Sequence, residues 1–362
     1  VSEDYAPFDV NVTTIEPASV NDFEAVLVSI GGDGAWAPPA GGWGVVGGFN
    51  NSGSNTAYVF SELFGAPHDI ASAVSHEAGH EFGLGHHSTW NADGTKNQEY
   101  NPGNATRAPL MGVGYYTTRD VWDNSEGSAA ANQLQDDLAI LTGAQNRTFK
   151  FRTDLQGDTT TTAADLLVTN PQVSARGVIE QSNDRDWFRF ETNTGPISFT
   201  AEGLNLRKIY NDPALTLGTN LDIVLSLYDS DGNVIASNTP ANSLSAALTA
   251  NVQQGTYFIG VSGTGEYGAL GQYTLSGTVI PLPSTPTMIA PTGTLAVLVP
   301  FFQWTVGANA DHYELQVDNL TTGRFGYYTR NVTALNHTAA NQFEQGDYQA
   351  RVRTVTADGT FS

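Results

Sequence analysis

Three histidines stand at positions 76, 80 and 86, and only one local chain shape brings all three to a common point. Residues four apart on a helix project from the same face, so His76 and His80 can both reach one ion. A straight helix cannot add a third ligand in tetrahedral geometry. The chain must therefore break, and Gly83 permits the left-handed turn that ends the helix. His86 can then swing back beneath the ion. Glu77, next to His76, can address a water at the remaining position. Three neutral imidazoles leave one coordination position open, which marks a catalytic rather than a structural zinc site.

Read in full, His76-Glu77-Ala78-Gly79-His80-Glu81-Phe82-Gly83-Leu84-Gly85-His86 is HExxHxxGxxH. This resembles the signature of the metzincin clan of zinc metallopeptidases, and residues 3–142 look like secreted bacterial members of that clan. The resemblance implies an α+β zincin-like catalytic domain, with His76, His80 and His86 as zinc ligands and Glu77 as general base. It also implies a tight turn with a methionine beneath the metal, for which Met111 is the candidate. Some members carry a tyrosine two residues after that methionine. Here the position is Val113, which leaves Tyr115 and Tyr116 as the candidates for binding the oxyanion or lining the cleft. His87 follows the third ligand and is read as a rim residue. In the clan an extended substrate lies along an edge strand, here sought within Gly44–Phe60, with Ala57–Phe60 as one choice. The clan's first strand and most of its first helix are missing before Val1, so the segment is expected to be N-terminally shortened.

Two helices are expected in this first zone. One begins after Pro67, with Asp69 as N-cap, and ends at Gly83. The other covers Ala129–Leu141, where Leu134, Leu138 and Leu141 recur at helical spacing. Asp9–Thr14 and Ala25–Ile30 read as strands. Gly42-Trp43-Gly44-Val45-Val46-Gly47 matches a dinucleotide-binding GxGxxG, but no helical pattern follows it. It reads instead as a glycine-rich loop near the cleft.

From about residue 150 the pattern changes to short alternating strands divided by turn signals, such as Ile223–Tyr228 running into Asp231-Gly232. Gly177-Val178-Ile179-Glu180, Asp184-Arg185-Asp186-Trp187-Phe188-Arg189-Phe190 and Gly255-Thr256-Tyr257 resemble the bacterial pre-peptidase C-terminal domain. That likeness implies a jelly-roll-like sandwich, with Asp158, Asp184 and Asp186 as candidates for a structural calcium site. Pro281, Pro283, Pro286 and Pro291 then punctuate a stiff linker. Beyond it, Tyr313, Leu315 and Val317 share one face, and the segment resembles a fibronectin type III module cut before its last strand. The expected organisation is therefore a zincin-like domain over 1–149, a β-sandwich over 150–280, and the linker with a second β-sandwich over 281–362.

Composition narrows the partners. With 15 Lys+Arg against 37 Asp+Glu the net charge is −22, which would repel nucleic acid and anionic membranes. No apolar run approaches the roughly 20 residues of a membrane-spanning helix. There is no cysteine, hence no disulfide, thiolate ligand or thiol nucleophile. The abundance of Gly, Asn, Thr and Asp suits a secreted, turn-rich protein. The expected function is a secreted zinc endopeptidase acting on a protein or peptide substrate. The rival is an extracellular binding or adhesion protein whose zincin domain is vestigial. The sequence does not fix an oligomeric state.

Overall fold

The computed structural model of the chain describes residues 1–169, 171–211 and 218–362. Strands account for 35% of it and helices for 10%. That balance overturns the expectation of an α+β zincin-like domain: the chain is a multidomain assembly of small sheets and β-sandwiches.

In the first zone, β1 (Leu27–Ile30), β2 (Gly42–Trp43) and β3 (Thr56–Val59) form one small sheet in the order β1-β3-β2. β3 is thus central, and the edges belong to β1 and β2 rather than to the neighbourhood of Ala57. Helix α1 (Pro67–Glu81) packs against this sheet. Its N-cap is Ala66, with Pro67 at the first helical position, where a missing N–H costs nothing. Asp69 lies inside the first turn instead. Gly83 follows the helix at φ 100°, the left-handed conformation expected of it.

Four two- or three-residue strands come next: β4 (Thr89–Trp90) pairs with β5 (Lys96–Gln98), and β6 (Ala108–Pro109) with β7 (Asp120–Val121). The expected helix over Ala129–Leu141 contracts to α2 (Asp137–Leu141). Asp136 caps it by accepting from Ala139 N–H, which fixes its start. Upstream, Asn132 takes φ 60° and Glu126 bridges to Leu134 in antiparallel fashion, so the chain there is extended and turned. Leu134 is 67% exposed and makes no helical stripe with Leu138 and Leu141.

The second zone holds β8 (Ala164–Asp165), β9 (Leu167–Thr169), β10 (Gln172–Ile179), β11 (Arg185–Thr192), β12 (Gly195–Gly203), the short α3 (Leu206–Tyr210), β13 (Ile223–Tyr228), β14 (Val234–Asn238), β15 (Ala246–Val252), β16 (Gly255–Gly263) and β17 (Gly271–Thr278). They make two five-stranded sheets, β15-β12-β17-β10-β9 and β14-β13-β16-β11-β8. Along β12 the alternation is plain: Ile197, Phe199 and Ala201 point inward and are buried. Asp229 accepts from Asp231 and Asn233 N–H to form the β13–β14 hairpin turn.

The third zone contains β18 (Met288–Ala290), β19 (Phe301–Trp304), β20 (His312–Asn319), β21 (Arg324–Val332), β22 (Asn336–Thr338) and β23 (Tyr348–Val355), in sheets β18-β19-β22 and β21-β20-β23. Its core is separate, built on Trp304, Tyr313, Leu315 and Val317. By contrast, one continuous hydrophobic cluster links the first two zones, from Tyr5 and Phe8 through Met111 and Leu141 to Phe199 and Leu227. Among the described residues no helix is long and apolar enough to cross a membrane.

Candidate metal centre

Helix α1 carries His76, Glu77 and His80 on a buried face. Each ligand candidate is held through the ring nitrogen that faces away from the centre. His76 Nδ1 lies 2.8 Å from Leu110 O, His80 Nδ1 lies 2.8 Å from Leu84 O, and His86 Nδ1 lies 2.8 Å from Glu99 Oε1. Carbonyls and carboxylates only accept, so neutral rings carry their proton at Nδ1 and leave Nε2 bare. Burial pulls His76 well below the ordinary imidazole range and His80 to about 4, which keeps both rings neutral. The ligand atoms of the three rings all lie within 4.8 Å of one another. Three lone pairs converge with no donor among them, an arrangement that suits a soft-to-borderline divalent cation and little else.

The floor explains the intervening residues. Met111 is fully buried, and its sulfur would lie 2.6 Å from a Cβ on Gly79. Glycine at 79 therefore lets α1 settle onto the methionine between the first and second ligands. Met111 O in turn accepts His87 N–H at 2.9 Å. His87 is not at the rim: it is fully buried, with Nε2 3.1 Å from Asp137 Oδ1 and Nδ1 3.1 Å from Ser125 Oγ. It serves the floor and not the ion.

Glu77 is buried beneath the edge strand. A Cβ on Gly42 would lie 2.5 Å from Glu77 Oε1, and one on Gly44 would lie 2.6 Å from Glu77 O. Gly42 in β2 and Gly44 just after it let the chain pass directly over Glu77, the first above its carboxylate and the second above its backbone carbonyl. Burial, reinforced by the charge of Glu81, raises the Glu77 carboxyl to about 8. Glu81 is itself raised to about 7 by burial, and its Oε1 accepts Val45 N–H at 3.0 Å. It tethers the chain leaving β2 to the end of α1.

The two tyrosine candidates part company. Tyr115 packs edge-on against Phe64, and burial followed by the charges of Asp69 and Glu77 raises its hydroxyl to about 12. Tyr116 is 91% exposed. Sequence reasoning missed Tyr100, whose ring centroid lies 4.4 Å from that of His86 and 6.1 Å from that of His76. It also missed Glu99, clamped by Lys96 Nζ at 2.6 Å while it holds His86. Both arrive on the segment that follows β5 of the β4–β5 hairpin, a return that spacing along the chain does not announce.

A second cluster lies in the second zone. Asp154, Asp184 and Asp186 offer oxygens within 4.8 Å of one another. Asp158 is not among them; its Oδ1 accepts Arg185 N–H at 3.1 Å, a turn role. Asp186 is fully buried, with Oδ2 bonded to the Tyr273 hydroxyl and Oδ1 unpartnered. Burial and crowding by like charge raise Asp186 to about 8 and the adjacent Glu180 to about 9.

No protein-family profile matches the sequence, and no curated protein matches it. Among solved structures, similarity reaches the pre-peptidase C-terminal domain of a collagenase from Bacillus anthracis, at 17% identity over 29% of this chain and 87% of that one, TM-score 0.22. A two-domain fibronectin type III segment of chicken tenascin is 16% identical over 49% of this chain and 95% of that one, TM-score 0.24. The mitogen of Yersinia pseudotuberculosis is 15% identical over 30% of this chain and 85% of that one, TM-score 0.21. The likeness is to β-domains and covers part of the chain.

Proposed function

We propose that this chain is a secreted, zinc-dependent endopeptidase. The observation that carries the reading is the convergence of three imidazole Nε2 atoms whose Nδ1 partners are all acceptors. His76, His80 and His86 would hold the ion. When bound, zinc would supply Lewis-acid polarisation of a carbonyl and of water. The HExxHxxGxxH pattern shared with the metzincin clan supports the same chemistry.

The chain's own residues supply the rest. Glu77, next to the first candidate ligand and buried beneath the edge strand, would take a proton from a water at the open position and return it to the leaving amine. The free edge of β2 offers backbone groups to an extended peptide, and Gly42 within it and Gly44 just after it bring that edge over Glu77. Tyr100, whose ring lies 4.4 Å from that of His86, would be the first candidate to bind a developing oxyanion, with Tyr115 as the second. Secretion rests on the acidic, turn-rich composition. The second cluster, Asp154, Asp184 and Asp186, would take calcium as a structural ion: hard oxygen donors, one of them buried and unpartnered, match that cation.

The rival reading, a binding or adhesion protein with a relic site, gains no support from Glu77. A relic needs no carboxyl buried beside its histidines. Metal analysis together with digestion of a broad peptide library separates the two. A chain that holds one zinc and cleaves peptides is the peptidase; one that holds zinc and cleaves nothing is the binding protein.

A further inference from the structure

The loop between β16 and β17 belongs to the second zone by sequence, yet it reaches into the first. The Tyr267 hydroxyl donates to Asp136 Oδ1 at 2.6 Å and accepts Leu138 N–H at 2.8 Å. The Tyr267 carbonyl accepts from Arg107 Nη2 at 2.8 Å, and the same nitrogen bonds Asp123 Oδ1 at 2.7 Å. Gly268, at φ +77°, passes so close to Trp122 that a Cβ would lie 2.1 Å from its carbonyl oxygen. Neighbouring Glu266 pairs with Arg119 at 3.0 Å.

These contacts straddle one residue. Asp137 lies between the two positions that the Tyr267 hydroxyl holds, and it is fully buried. Its Oδ2 accepts Asp123 N–H at 2.9 Å, and its Oδ1 lies 3.1 Å from His87 Nε2. His87 is joined by the peptide bond to His86, whose carbonyl accepts Ser128 N–H at 2.9 Å. Gln135 brackets Gly85 from both sides, taking its N–H and giving to its carbonyl, each at 2.8 Å. The turn that delivers the third histidine therefore hangs on residues 123–138. That stretch is pinned at Asp123 by Arg107 and at Asp136 and Leu138 by Tyr267. Leu138 N–H is one of the first-turn donors that a helix leaves unpaired, and α2 has only five residues to hold itself.

We propose that Tyr267 is a positioning residue of the metal centre, setting His86 through Asp137 and His87, so that the second sandwich is part of the site and not an appended module. This rests on the zinc reading above. Metal affinity is sensitive to such a link, because ligand distances are tolerated only to about 0.2 Å.

The test uses the full chain. Zinc affinity by chelator competition, and the absorption spectrum of the cobalt-substituted protein, are measured for wild type, Tyr267→Phe, Asp137→Asn, the double variant and Glu3→Gln. Glu3 is the control: it is buried in the same contact between zones, against Thr219, Asn220 and Gln272, but bonds nothing in 123–138. Tyr267→Phe is expected to weaken zinc binding by about 3–10-fold, below the usual 10–100-fold of a direct outer partner. The cobalt spectrum should shift with it. The double variant should bind no more weakly than Asp137→Asn alone, because the two lie on one path. Glu3→Gln should match wild type in both readouts. Wild-type affinity and spectrum in Tyr267→Phe would overturn the proposal, as would equal losses in Tyr267→Phe and Glu3→Gln. A wild type that binds no zinc at all would overturn the zinc reading first and this inference with it.

Discussion

His80 Nε2 and His86 Nε2 lie 3.1 Å apart, each on a ring whose Nδ1 faces an acceptor. His80 spends its proton on Leu84 O and His86 on Glu99. Two lone pairs at that distance repel in a buried site of low dielectric, and a cation between the rings removes the repulsion.

One zinc per chain is expected, and His80→Ala should abolish it. Removing zinc with a chelator should also lower the unfolding temperature of wild type, since a ligand that binds only the folded state stabilises it by mass action. Metal content by elemental analysis decides the first point. Unchanged stoichiometry in His80→Ala would end the assignment of these ligands.

Glu77→Gln should keep zinc and fold while peptide hydrolysis falls by about 10²–10⁴, the range of general acid–base catalysis. Glutamine fills the same space under Gly42 and Gly44 but cannot exchange the proton. Turnover of a peptide substrate beside metal content reads this out. Full activity in Glu77→Gln would remove the carboxyl from the chemistry.

Glu99 Oε1 lies 2.8 Å from His86 Nδ1, and with zinc bound it would orient the third candidate ligand from outside and raise its basicity. Glu99→Gln should weaken zinc binding by about 10–100-fold, and Lys96→Met should weaken it less, because Lys96 only steadies Glu99. Competition with a graded series of chelators gives both affinities. Equal affinities in all three proteins would show that His86 needs no such support.

Calcium should raise the thermal midpoint of the second sandwich, and Asp186→Asn should reduce that gain. The reason is charge: Asp154, Asp184 and Asp186 crowd together with Glu180 beside them, and no basic side chain pairs with Asp184 or Asp186 among the described ion pairs. Calorimetry with and without calcium is the measurement. A midpoint indifferent to calcium in wild type would leave the cluster as protonated turn residues.

The candidate ligand set could be read from a local pattern: four residues along a helix, then a glycine break, bring His76, His80 and His86 within reach of one another, although the support that fixes His86 lies elsewhere in the fold. Glu77 shares that helix, and Met111 was found by its distance along the chain. Where several local forces compete, pattern misleads. Leu134, Leu138 and Leu141 recur at helical spacing, but the Asp136 cap and the use of Gln135 to clamp Gly85 confine the helix to its last five residues. Glu99, Tyr100 and Tyr267 were invisible for another reason. Each reaches the site through a hairpin or a loop from a different zone, and no local period encodes a contact between Tyr267 and Asp136, 131 positions apart. Asp154 stands in the acidic cluster where Asp158 was expected, and Asp158 instead accepts Arg185 N–H.

Glu3 ties the start of the chain to the second sandwich and should make stability depend on pH. Burial raises its carboxyl to about 7, outweighing four donor contacts of 3.2–3.4 Å that are too long to hold the charge. Between its unfolded value of 4.5 and about 7, the folded state binds a proton that the unfolded state has lost. Stability therefore falls as pH rises through that window, and the loss is complete above it. The shift corresponds to a loss on the order of 3 kcal/mol, taking about 1.4 kcal/mol per pKa unit. Glu3→Gln mimics the protonated form at every pH, so it should exceed wild type only slightly near pH 5 and by that order at pH 8. Urea unfolding of both proteins at the two pH values gives the answer. A difference between them that stays constant from pH 5 to pH 8 would mean that Glu3 is charged in the folded chain and that its donors, not its burial, decide the balance.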